Sequence, residues 1–203
     1  TSFTRTAFTF DEDSENVYQP YYKFADAGVT LTASGTTGSV TITSSADHFN
    51  ANYVGTYIRI EDTTLEITAF TSATQVTATV EGTLKKKLIN DPFTTENGTK
   101  TITVNDPLHG LANGASVTFS GSNSIEGINA SDINGSKTIT VLNEDTYTFS
   151  AGGTNNANNT AAGGGTAVFI TSSGQANSRW EEQVFSAVRG YPASSTFHDG
   201  RLW

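Results

Sequence analysis

The strongest constraint on this chain is a pattern that recurs along it: threonine or serine alternating with a β-branched or aromatic residue. The stretches are Gly38–Thr43, Gln75–Val80, Lys100–Val104, Ala115–Phe119, Lys137–Val141 and Thr146–Phe149. Side chains of an extended strand point alternately to opposite faces, so each stretch can bury one row and expose the other. In Gly38–Thr43 the buried row is Val40 and Ile42. Val, Ile, Thr, Phe and Tyr suit a pleated, half-buried surface, and few segments have the Ala, Leu, Glu and Lys content that favours helix. The expectation is an all-β protein with many turns.

Composition narrows the functions. The 203 residues make room for one large or two small domains. Only 15% of residues are charged, whereas disordered chains are usually charge-rich and poor in aromatic and β-branched residues. Net charge is −9, and a nucleic-acid binder needs a concentrated basic face. The only basic run is Lys85–Lys87, read as a solvated linker, so general phosphate binding is not expected. No run of 18 apolar residues is present, so no membrane span is expected. No signal peptide is visible, though a missing N-terminus would hide one. The absence of Cys removes disulfides, thiolate nucleophiles and Cys-based zinc sites together; rigidity must come from sheet packing or from neighbours in an assembly. With no Met and a close on Gly200–Trp203 that reads as the opening of an apolar strand, the chain is expected to be a piece of a longer polypeptide, or a processed one.

Four segments follow along the chain. Residues 1–24 read as an N-terminal strand (Ser2–Phe10), an acidic turn (Asp11–Glu15) and a linker. Residues 25–91 read as a first β-module, with a hairpin of Tyr57–Ile60 and Leu65–Phe70 turning at Glu61–Thr63, and a short helical turn within Ser45–Val54. Residues 92–171 read as a second β-module, with turns at Asn105–Asn113 and Asn143–Asp145 and a flexible low-complexity loop, Ala151–Gly165. Residues 172–203 read as the start of a further β-domain, in which Asp199-Gly200 between Phe197 and Leu202 signals a hairpin. The modules are expected to be small barrels or sandwiches. They share a strand rhythm but no register-matched repeat.

Three stretches carry a resemblance. Trp180–Trp203, with Arg189–Pro192 and then Phe197–Trp203, resembles a segment of the tail nozzle proteins (tail tubular protein B) of short-tailed bacteriophages, where it leads into propeller-like β-structure. Leu108–Leu111 with Gly114, Val117 and Gly121 resembles small β-modules inserted in phage tail proteins, and Gly38–Thr43 with Phe49, Val54-Gly55 and Ile58–Ile60 resembles a repeated element of phage tail proteins. Some of these modules are likened to a β-domain of ubiquitin-activating enzymes, but no ubiquitin chemistry follows without a phosphate loop or a Cys. The resemblance implies a structural virion protein: a nozzle subunit in a ring of identical subunits, touching other tail proteins such as an adaptor. DNA would pass through the lumen without sequence-specific binding. The alternative is an adhesin-like module that binds host surface glycan.

No catalytic, cofactor-binding or metal-binding residue is expected, and the chain is expected not to be an enzyme. His48, His109 and His198 are far apart in sequence and form no HExxH pair. Asp47-His48 and His198-Asp199 diverge in extended structure, and no Gly-x-Ser-x-Gly elbow accompanies them. His109 is expected to bond backbone in its turn. Asp11–Glu15, and likewise Glu144-Asp145, are read as solvated acidic turns rather than calcium sites, lacking the EF-hand pattern. Glu181 and Glu182 fall on opposite faces of a strand, unsuited to paired acid–base work. Tyr21, Tyr22, Tyr53, Trp180 and Tyr191 could stack on sugars but are read first as core or subunit contacts. The sequons at Asn97, Asn129, Asn134 and Asn158 are chance matches in an Asn- and Thr-rich chain and carry no glycosylation meaning in a bacterial virus.

Overall fold

The computed structural model describes residues 18–191, together with the backbone of 197–198 and 201–202. The expected strand at Ser2–Phe10 and the acidic turn Asp11–Glu15 lie outside the described residues. The chain is nearly all β, in antiparallel sheets.

The first module is one seven-stranded sheet. Its strands are β1 (Tyr21–Tyr22), β2 (Leu31–Ala33), β3 (Gly38–Ser44), β4 (Tyr57–Ile60), β5 (Thr63–Ser72) and β6 (Gln75–Val80), and a seventh comes from far down the chain. Alternation works as expected: Val40, Ile42, Ile58, Ile60, Val76, Ala78 and Val80 are all buried on one core. The hairpin forms in the register Tyr57↔Glu66 to Ile60↔Thr63, so its turn is Glu61-Asp62. The helical turn is a single 3-10 turn, Ala51–Tyr53. Asn50 starts it by accepting a hydrogen bond from the Asn52 amide at 2.9 Å, and Phe49 and Tyr53 pack beneath the sheet.

The second module leaves the first after β6. It comprises β7 (Lys86–Lys87), β8 (Phe93–Thr95), β9 (Thr101–Asn105), β10 (Ser116–Ser120), the short helix α1 (Ala130–Ile133), β11 (Gly135–Thr138), β12 (Thr140–Val141), β13 (Thr146–Ser150), β14 (Ala162–Gly163) and β15 (Phe169–Thr171). These form two sheets, β11-β10-β15-β7 and β12-β13-β9-β8-β14. Phe119 of one sheet lies 5.4 Å from Phe93 and 4.9 Å from Phe149 of the other, so the module is a sandwich with a common apolar core. Lys137–Val141, read from its alternation as one strand, is divided: β11 pairs with β10, β12 pairs with β13, and buried Ile139 marks the corner.

Ala151–Gly165 is not a free loop. The Gly98 amide donates to Ala157 O (2.8 Å), the Asn158 amide to Glu126 O (2.7 Å), and β14 pairs with β8. Small side chains permit this close approach: a Cβ on Gly164 would sit 2.8 Å from the Phe93 ring.

The chain then returns to the first module as β16 (Trp180–Gln183), between β4 and β1. Trp180–Gln183, read as part of a separate 172–203 unit, is thus a central strand of the first sheet, and Trp180 belongs to that sheet's core. β17 (Phe197–His198) and β18 (Arg201–Leu202) pair as the expected hairpin, Phe197↔Leu202. Among the described residues there is neither a closed barrel nor a propeller.

The two modules are nested. The second begins on β7 and ends on β15, which pair with each other (Ile170↔Lys86). The first begins on β1 and ends on β16, which also pair (Tyr21↔Gln183). In each unit the first and last strands are therefore neighbours.

Candidate functional site

The junction between the modules is stitched by backbone. Asn177 and Leu31 exchange two hydrogen bonds of 2.9 Å, which covers the outer edge of β2, and the Ser178 amide donates to Gly110 O at 2.9 Å. Gly110 has φ +70°, and a Cβ there would lie 2.5 Å from Asn177 Oδ1 and 2.6 Å from the Arg179 amide nitrogen. Only glycine fits both the backbone angle and the contact.

Two glutamates are buried in the first module, one of them at this junction. Glu61 sits in the β4–β5 turn at φ +56°. Its Oε1 accepts from Ser172 Oγ (2.7 Å) and Asn177 Nδ2 (3.0 Å), while Oε2 is buried without a partner among the described residues. Burial, reinforced by the charges of Asp106 and Asp62, pushes its carboxyl up to about 7 against the opposing Ser172 bond and Lys86 charge. Beside it in the second module, Lys86 and Asp106 form a direct buried ion pair. Asp106 Oδ2 also accepts from the Tyr147 hydroxyl at 3.1 Å.

Glu182 on β16 is equally buried but fully served. It accepts from Tyr53 Oη (2.8 Å), Arg189 Nε (3.1 Å) and an Arg189 terminal nitrogen (2.7 Å), and lies 3.4 Å from His48 Nε2. Burial alone would raise this carboxyl; the bonds from His48, Arg189 and Tyr53 outweigh it and hold it below the usual carboxylate value. Burial and the Glu182 carboxylate together raise the Tyr53 hydroxyl, which stays a proton donor. The Arg189 guanidinium also stacks 4.5 Å from the Phe24 ring centroid. The arrangement clamps Arg189 onto the first sheet.

Glu181 and Glu182 do point to opposite faces: Glu181 pairs with Arg59 at the surface while Glu182 is buried. His109 bonds backbone as expected: Nδ1 accepts from the Leu111 amide (3.0 Å), which leaves Nε2–H to donate to Asn143 O (2.9 Å). Asp145 anchors the neighbouring turn through the Leu108 amide. His48 is drawn into the Glu182 cluster, whereas Asp47 is exposed. The side chains of His198 and Asp199 lie outside the described residues. Of the five aromatics, Tyr53 and Trp180 are core and Tyr21 is half-buried; Tyr22 (61% exposed) and Tyr191 (69%) face solvent.

Lys85–Lys87 is not simply a solvated linker. Leu84, Lys86 and Leu88 are all buried: alternation turns the three the same way out of solvent, Leu84 into the core of the first module and Leu88 into that of the second. Glu61, Lys86 and Asp106 were not singled out by sequence reasoning. The Leu84-x-Lys86-x-Leu88 spacing was a usable signal for the lysine; Glu61 read only as a turn residue.

Two open clefts accompany these centres. One of about 500 Å³ lies between the modules, lined by Leu108, Gly110, Asn143, Glu144, Arg179 and others. A second, of about 580 Å³, is lined by Phe24, Val184, Phe185, Val188, Arg189, Gly190 and Tyr191, near the paired strands β1 and β16.

No protein-family model and no curated protein matches this chain. Among solved structures, an endosialidase of phage phi92 is similar with a TM-score of 0.35 and 17% identity, over 83% of this chain and 22% of that one. A likeness of that size carries no argument about fold or activity.

Proposed function

We propose that this chain is a structural β-segment of a bacteriophage tail, and more specifically part of a nozzle subunit that assembles into a ring of identical copies. The observation that supports the reading is that β1 and β16, the first and last strands of the seven-stranded sheet, are neighbours, the arrangement expected of a unit hung laterally on a larger body. Such a unit decorates a larger body and offers its faces to neighbours. The residues that resemble tail nozzle proteins fit the same role. Trp180 fills the core and Arg189 is clamped by buried Glu182, so both act in architecture. The net charge of −9 suits a DNA conduit, because an acidic wall repels phosphate.

A glycan-binding adhesin is the second reading, favoured by exposed Tyr22 and Tyr191 and by the apolar cleft beside Tyr191. A polysaccharide depolymerase would need two carboxyls converging on an accessible pocket, whereas Glu182 is buried and saturated by donors. Purification of the full-length protein tests the proposal: symmetric rings in negative-stain images support the nozzle. A monomer that binds host glycan on an array supports the adhesin instead.

A further inference from the structure

We propose that Lys86 and Asp106 become joined by an isopeptide bond between Nζ and Cγ, which cross-links the two sheets of the second module. Lys86 lies on β7, the first strand of one sheet; Asp106 follows β9 of the facing sheet. Their side chains are in direct contact and their relative exposures are 7% and 2%. The Asp106 backbone is fixed by the hydrogen bond its N–H donates to Asp145 O (2.8 Å) and Lys86 by pairing with Ile170. Amine and carboxyl are thus held in contact in a buried site, and well-oriented intramolecular reactions reach effective molarities of about 10⁵ M or more. Condensation also removes two buried charges, whose desolvation an ion pair repays only in part.

The step balances without any co-reactant. The Lys86 ammonium passes one proton to Asp106 Oδ1. The neutral Nζ adds to Cγ, and negative charge grows on Oδ2, where the Tyr147 hydroxyl already donates at 3.1 Å. Burial and the neighbouring Asp106 carboxylate raise that hydroxyl far above its ordinary value, so it keeps the proton it must donate. The C–Oδ1 bond then breaks. Oδ1 leaves as water with the second proton from nitrogen, and an amide remains. Tyr147 is the catalytic residue, since it touches the reacting carboxyl. β7 has only two paired residues, and the bond would pin this short first strand to the opposite sheet.

Electrospray mass spectrometry of the denatured full chain tests this. The expected mass is the sequence mass less one water, with a branched tryptic peptide containing both residues. Lys86→Arg keeps the positive charge but cannot form the amide, and is expected at full sequence mass. In Tyr147→Phe, refolded from denaturant and sampled over time, bond formation is expected to slow by roughly a hundredfold. A wild-type chain that stays at full sequence mass after prolonged folding overturns the proposal. So does loss of water that persists in Lys86→Arg.

Discussion

Glu61 and Glu182 are both buried carboxylates in the first module, yet their environments act in opposite directions. Glu182 receives bonds from Tyr53 and Arg189, with His48 close by, and is held ionised. Glu61 has two neutral donors on one oxygen and none on the other, and burial drives it toward the neutral acid. The comparison teaches that donor count and counter-charge, rather than depth, decide the state of a buried carboxyl. It also separates two structural tasks. Glu182 ties the outgoing chain to the sheet, and Glu61 sits where one module meets the other.

The largest effect is expected from Arg189→Ala. It removes the counter-charge of Glu182 and leaves a buried carboxylate underpaired, at a cost of about 3–5 kcal/mol, read from urea unfolding monitored through Trp180. A near-neutral result would mean that Glu182 is held by Tyr53 and His48 alone, and the contrast with Glu61 would shrink.

Glu61→Gln comes next and carries a sign. The folded value of about 7 lies above the ordinary 4.5, so the native state binds more protons than the unfolded chain between these values. Stability is therefore lost as pH rises through that window. The shift corresponds to roughly 3 kcal/mol when complete. The Gln variant should match wild type near pH 4 and exceed it at pH 8, measured by unfolding across that range. Glu182 acts with the opposite sign, its contribution being present above 4.5 and lost as pH falls. Hence Glu182→Gln should lower stability above about pH 4.5 and flatten the acid limb.

Smaller losses sharpen the picture. Gly110→Ala forces a side chain against Asn177 and Arg179 at positive φ and should cost about 1–3 kcal/mol. Hydrogen exchange would then rise at the Leu31–Asn177 stitch before it rises in the sandwich core. Tyr53→Phe deletes one donor to Glu182 and should cost about 1–2 kcal/mol, with the carboxyl moving upward by NMR titration.

The fold was legible where strands alternate and pair with near neighbours. Gly38–Thr43 and Lys100–Val104 show it, since their burial follows period two and their hairpins close locally. It was not legible where partners are remote. β16 pairs with β4 and β1 across an entire inserted module, so Trp180–Gln183 looked like the opening of something new. Lys137–Val141 alternates cleanly across a corner, because alternation does not reveal that a chain changes sheets. Ala151–Gly165 looked free because its anchors are backbone groups, which composition does not show. The divergence of Glu181 and Glu182 was readable from their adjacency, and so was the turn role of His109. The Lys86–Asp106 pair was hidden because a lysine run suggests solvent, although two flanking leucines marked its face.

The most direct test of the central claim is immunolabelling of negatively stained virions from the source host, with an antibody raised to this chain. Label in a symmetric ring at the distal tail is the predicted result. Virions without label would contradict the account and leave glycan binding by a free protein as the reading to pursue.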